Sequence, residues 1–153
     1  MPVLSLGEIA ARLLVAVVCG CIIGLDRELH GKPAGLRTHA LVGLGAALVV
    51  VASGCLANGD RRADVVSRVA QGVLTGIGFL GGGVILRDPE EGHVHGLTTA
   101  ATIWLTALIG VASGAGAFRE LALGLALTVA VLVFGGPIER FARRLFGQPP
   151  NGG

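Results

Sequence analysis

Five long runs without a charged residue divide this chain, at positions 13–25, 38–59, 69–86, 96–118 and 121–138. A bilayer core of about 30 Å needs roughly 20 apolar residues of helix to cross it. Inside that core no water satisfies stray backbone amides, so a crossing segment must bond its own N–H and C=O groups. Four of the runs approach or exceed this length. The first covers only about 20 Å at 1.5 Å per residue, so it must recruit the preceding turns, where Glu8 and Arg12 stand four apart as an interfacial acid–base pair. Only 14% of residues are charged, against about a quarter in soluble domains. Water is the wrong solvent for such a chain.

The pattern predicts an all-α, polytopic membrane helix bundle with about five transmembrane helices, at 6–25, 37–57, 67–86, 97–114 and 119–138. Residues 1–147 form one transmembrane domain, and the Pro/Gly/Asn-rich stretch 148–153 is expected to fray. The N-terminus lacks the basic start of a cleaved signal and carries Glu8, so it is read as retained. Cys19, Cys21 and Cys55 lie in apolar runs and are read as small packing residues.

Cytoplasmic loops carry the excess of Lys and Arg. One side holds 7 of them (Arg27, Lys32, Arg37, Arg87, Arg140, Arg143 and Arg144) and the other 5 (Arg12, Arg61, Arg62, Arg68 and Arg119), which places the C-terminus in the cytoplasm.

Small residues recur every fourth position: Gly20 and Gly24, Gly72 and Gly76, Gly78 and Gly82, Gly110 and Gly114. Such rows let backbones approach closely in lipid. The cluster holding Gly76, Gly78, Gly81, Gly82 and Gly83 is denser than packing requires. Two readings stand, tight packing or an unwound span lining a path.

An internal echo joins two hairpins about 61 positions apart. The first leaves helix 1 through Leu25-Asp26-Arg27-Glu28 and re-enters at Gly35-Leu36-Arg37-Thr38; the second leaves helix 3 through Leu86-Arg87-Asp88 and re-enters at Gly96-Leu97-Thr98-Thr99. A two-hairpin repeat about an axis along the membrane normal would bring both re-entry turns to one face. Asp26, Arg27, Glu28 and Arg37 would then lie near Arg87, Asp88, Thr98 and Thr99, with opposite charges paired across the turns. On that expectation Asp26→Ala or Arg37→Ala impairs function and charge removal at Arg61 or Arg62 does not.

The candidate ligand- or partner-binding residues are therefore Asp26, Arg27, Glu28, Lys32, Arg37, Thr38, Arg87, Asp88, Thr98 and Thr99, in a turn stiffened by Pro33 and tightened by Gly35. Asp88, Glu90, Glu91, His93 and His95 could hold Mg²⁺ loosely through oxygen ligands and waters, whereas their spacing makes a poor zinc site. No resident cofactor is expected. Thr98, Thr99 and Thr102 open helix 4, where capping and interhelical hydrogen bonds are their ordinary work. Nothing matches a nucleophile elbow, a Walker loop, a zinc-protease helix or a dinucleotide fingerprint, so the chain is not read as an enzyme.

The ordered blocks Gly24-Leu25-Asp26-Arg27-Glu28, Lys32 to Thr38, Arg68-Val69-Ala70-Gln71, Gly76 to Gly83, and Gly96 to Ala101 before Trp104 resemble the MgtC/SapB membrane family from about Arg12 to Ile138. That resemblance implies a five-span bacterial inner-membrane protein. In the MgtC branch it implies links to growth at low Mg²⁺, survival inside host cells and restraint of the ATP synthase, with direct Mg²⁺ transport doubtful. The sequence ends at residue 153 without the soluble C-terminal domain of that branch, so the shorter SapB-like form is the nearer likeness. Two functions compete. One is a non-enzymatic protein of Mg²⁺, ion or envelope homeostasis that binds a partner or small ligand at its cytoplasmic face; the other is a homo-oligomeric transporter or channel lined by helix 3. The bilayer, other copies of the chain and another membrane protein are its expected partners, and nucleic acid is not.

Overall fold

A computed structural model describes residues 4–56, 62–87 and 94–146. Helix α1 is Leu6–Leu29. It starts because Ser5 and Glu8 form a capping box: the Glu8 N–H donates to Ser5 Oγ at 3.2 Å and the Ser5 N–H to Glu8 Oε2 at 2.8 Å. It stops at Gly31, which takes φ 60. There the Gly31 N–H donates to the Glu28 carbonyl and the Lys32 N–H to the Arg27 carbonyl, at 3.1 and 2.9 Å, the two bonds of a Schellman ending. Helix α2, Leu36–Leu56, follows after the connection 30–35, in which Ala34 also has positive φ, 58°.

Helix α3 spans Arg62–Gly83. Two short antiparallel strands, β1 (Leu86–Arg87) and β2 (Val94–His95), pair Leu86 with His95 and Arg87 with Val94. Helix α4 is Leu97–Ala115, ended by Gly116 at φ 82, and α5 is Phe118–Phe146. All five helices are long and apolar enough to cross a membrane.

The packing is that of a membrane protein. Its interior is small and partly polar, with Ala16, Ala46, Ala47, Ala107, Thr106 and Ser113 buried, while Leu14, Leu41, Leu123, Val131 and Phe134 point outward. Large apolar side chains gain little by leaving lipid, so close backbone contact through small residues holds such helices together. Helices α1, α2 and α4 form the centre; α3 leans mainly on α4, and α5 on α4 and α1. A Cβ at Gly20 would lie 2.5 Å from the His39 carbonyl oxygen, one at Gly24 2.6 Å from Leu36 Cα, and one at Gly114 2.6 Å from the Ala47 carbonyl oxygen. At Gly110 it would collide with the Gly43 carbonyl. The rows Gly20/Gly24 and Gly110/Gly114 are thus the contact lines α1–α2 and α4–α2.

Four sequence readings need correction. The rows in α3 do not pack against the described residues: among these, a Cβ at Gly72, Gly76, Gly78, Gly82 or Gly83 meets nothing within 4 Å, and of that cluster only Gly81 faces a neighbour, Ala100 Cβ at 3.7 Å. Nor is α3 unwound there, since it stays helical to Gly83. Glu8 and Arg12 do not form their expected pair, because the carboxylate is taken by the Ser5 cap while Arg12 Nη1 donates to the Gly114 carbonyl at 2.8 Å. A cation at the negative end of α4 satisfies that helix's last carbonyls. The Ser113 hydroxyl returns a bond to the Arg12 carbonyl at 2.6 Å. Finally, α1 and α5 run past their predicted ends at 25 and 138. The Schellman ending keeps Asp26, Arg27 and Glu28 helical, and α5 continues through Pro137. At 29 residues α5 measures about 43 Å, longer than a bilayer core, so the turn bearing Arg140, Arg143 and Arg144 can reach the headgroups.

Candidate functional site

The end of α1 and the starts of α2 and α4 meet at one end of the bundle. The same glycine row that closes the α1–α2 hairpin sets this meeting: Gly20 lets α1 touch the His39 backbone, Gly24 lets it touch Leu36, and Arg27 follows one turn later on α1. Arg27 is 6% exposed and His39 fully buried. Arg27 Nη2 donates to the Thr99 hydroxyl at 3.2 Å, and His39 Nδ1 donates to the Gly35 carbonyl at 3.0 Å. Gly24, one turn before Arg27, touches Leu36, one turn before His39.

Below this point α4 carries a ladder of hydroxyls. Thr102 donates to the Thr99 carbonyl at 2.9 Å and Thr106 to the Thr102 carbonyl at 2.8 Å, all three threonines being buried. Two polar atoms are left over. Arg27 Nε and His39 Nε2 are both buried without a hydrogen-bond partner among the described residues. A buried cation without a matching carboxylate is costly, and no carboxylate bridges to Arg27 among those residues.

The remaining candidates divide by role. Glu28 is a cap: its Oε2 accepts the Leu36 N–H at 3.0 Å and so satisfies the first amide of α2. Gly35 leaves room for it, since a Cβ there would lie 2.5 Å from that oxygen. Glu28→Ala should therefore lower stability by about 1 kcal/mol, read as an earlier unfolding midpoint in detergent, with Glu28→Gln intermediate. Asp26 touches the His30 ring at 3.4 Å. Lys32, Arg37, Thr38 and Thr98 are exposed. Arg87 is placed by its backbone in β1, while Asp88, Glu90, Glu91, His93 and Arg61 lie outside the described residues. Among the described residues no group of three or more His, Cys, Asp or Glu could hold a metal ion.

Of the residues expected to converge, Arg27 and Thr99 are in contact, through the Thr99 hydroxyl. The expected opposite-charge pairing across the turns, of Asp26, Arg27, Glu28 or Arg37 with Arg87 or Asp88, falls on Asp88 and on the side chain of Arg87, which lie outside the described residues. Thr99 and Thr102 do not cap α4 with their side chains, because its N-cap is Gly96 at φ 89 with no side-chain bond. A side chain at Gly96 would strike the Val84 carbonyl. Sequence reasoning passed over His39 and Thr106. The available signal was the stripe His39, Gly43, Ala46, Val50, whose helical spacing puts the histidine on the buried face.

Fold and site together define a multi-pass membrane protein built as a helix bundle with a buried polar end. The sequence profile of the MgtC family matches residues 13–141, and the chain belongs to that family. It is 44% identical over 130 residues to SrpB of Synechococcus elongatus, covering 79% of this chain and 71% of that protein. It is 42% identical over 124 residues to YhiD of Escherichia coli, whose name provisionally assigns it magnesium transport, and 41% identical over 138 residues to MgtC of Salmonella typhimurium. These cover 78% and 90% of this chain but only 56% and 55% of the two relatives, so the chain spans just over half of their length. No solved structure matches it.

Proposed function

We propose that this chain is a non-enzymatic protein of the bacterial inner membrane, engaged in Mg²⁺ or envelope ion homeostasis, that binds a partner or small ligand at the polar, cytoplasmic end of its bundle. The carrying observation is the pair of buried, unpartnered nitrogens on Arg27 and His39. A purely structural cluster would satisfy them, because each unmade buried hydrogen bond costs about 1–3 kcal/mol. The magnesium link rests on family membership and on the name of YhiD. Passage of Mg²⁺ through this cluster is disfavoured, since the guanidinium of Arg27 would repel it. The decisive experiment is growth at limiting Mg²⁺ of a host lacking its own family member, run beside Mg²⁺ flux in proteoliposomes. Rescue without flux supports the binding reading, and flux that tracks rescue overturns it.

A second reading, a homo-oligomeric transporter with α3 lining the path, is favoured by Gly72, Gly76, Gly78, Gly82 and Gly83, where a Cβ meets nothing within 4 Å among the described residues. It would appear as ion flux abolished by Gly76→Leu in a protein that still folds.

The orientation rests on the charge count. Reporter fusions after Phe146 should read cytoplasmic, and fusions placed between α2 and α3 external; the reverse pattern at both points would put the Arg27 end outside and defeat the cytoplasmic assignment.

A further inference from the structure

We propose that Arg27, His39 and the start of α4 form a binding site for a protonated phosphate group, either free phosphate or a phosphate monoester headgroup. The inference rests on the ligand-binding reading above and names the ligand's chemistry. Arg27 meets the start of α4 there, through the Thr99 hydroxyl. Arg27, 6% exposed, keeps its Nε–H unspent among the described residues. Thr99, whose hydroxyl Arg27 holds, is the third residue of α4. That helix has no side-chain cap, and its first internal bond is Ala100 N–H to the Gly96 carbonyl at 2.8 Å. The N–H groups of Leu97, Thr98 and Thr99 therefore precede the helical ladder, at the positive end of the helix.

His39 narrows the choice of anion. Its Nδ1 must donate, because the partner is the Gly35 carbonyl, so the neutral ring presents Nε2 as an acceptor. That atom is buried and unpartnered. A ligand filling this end must accept from Arg27 and the α4 amides and also donate to His39. Hydrogen phosphate and a singly protonated monoester carry both kinds of group. Sulfate and carboxylate carry acceptors alone, and a divalent cation would face the guanidinium of Arg27 and the positive end of α4.

The test uses the full chain, purified in detergent and stripped of lipid. Inorganic phosphate should raise its melting temperature with saturation, and sulfate at equal ionic strength should bind about tenfold more weakly, as expected for one lost hydrogen bond to a buried group. In phosphatidylcholine nanodiscs, added phosphatidic acid should stabilise the protein if the headgroup is the source; stabilisation by inorganic phosphate alone assigns the soluble source. His39→Gln and Thr99→Val should each weaken the effect about tenfold, while Arg119→Ala, at the far end, leaves it unchanged. Thr99→Val and His39→Gln are judged only where circular dichroism shows wild-type helix content, and Arg27→Lys serves as a further variant, expected to lose most of the effect. No stabilisation by either source, an equal effect in the variants, or sulfate equal to phosphate overturns the proposal. Phosphate binding in a protein whose Arg27 is dispensable for growth would keep the site and overturn the functional reading. An essential Arg27 without phosphate binding would do the opposite.

Discussion

Gly110→Ala and Gly114→Ala are expected to destabilise this protein severely, although each adds one methyl group. At both positions the new Cβ meets backbone of α2, the Gly43 carbonyl in one case and the Ala47 carbonyl in the other. Backbone carbonyls in a helix cannot turn aside, so α2 and α4 must separate along their whole contact. Overpacking of this kind costs about 1–3 kcal/mol and sometimes more, which exceeds the gain of up to about 1 kcal/mol from replacing glycine in a helix. Gly20→Ala and Gly24→Ala meet the same obstruction between α1 and α2. Gly72→Ala and Gly76→Ala meet nothing within 4 Å among the described residues and should raise stability by up to about 1 kcal/mol. Unfolding in mixed detergent micelles reads both sets. Equal sensitivity of the two sets would contradict the packing described here.

The contrast also shows what the sequence could and could not convey. Four-residue glycine spacing is the same in α1, α3 and α4, yet among the described residues only the rows in α1 and α4 touch another helix. Spacing marks a face able to accept a backbone; which helix arrives there depends on the three-dimensional arrangement. The charge-free runs located all five helices because the bilayer leaves a 20-residue apolar segment little alternative. Their ends were less legible. Arg27 looked like a loop residue, since charge at the edge of an apolar run normally marks the interface, and its burial depends on Gly24 drawing α2 close. Glu28 looked like an ion-pair partner and proved to be a cap because Gly35 leaves space for its carboxylate. His39 was hidden among apolar neighbours.

Thr99→Val should be more harmful than its conservative shape suggests, and Arg27→Met less harmful than loss of a charge suggests. Removing the Thr99 hydroxyl takes away the one side-chain bond that Arg27 makes among the described residues. A hydrogen bond to a charged group is worth about 1.5–3 kcal/mol, and the stranded guanidinium stays in a poorly solvated place. Replacing Arg27 with methionine removes the charge while keeping most of the apolar volume. The Thr99 hydroxyl can then turn to a carbonyl one helical turn back, as Thr106 already does. We therefore expect Arg27→Met to change stability by less than about 1 kcal/mol, and the double variant to be no less stable than Arg27→Met alone. Unfolding midpoints of the four proteins check this cycle. Additive losses would show that Arg27 and Thr99 do not share an interaction.

The same substitution separates a structural arginine from a working one. If the buried polar end exists to bind a ligand or partner, Arg27→Met gives a protein that inserts, folds and accumulates in the membrane but does nothing there. Growth at limiting Mg²⁺, in a host without its own family member and with membrane abundance matched by immunoblot, measures this directly. Arg27→Met should fail to support growth while Arg119→Ala, exposed at the far end of the bundle, grows as the wild type does. Wild-type growth of Arg27→Met at matched abundance would contradict the account, because the buried cation would then be dispensable to the protein's function.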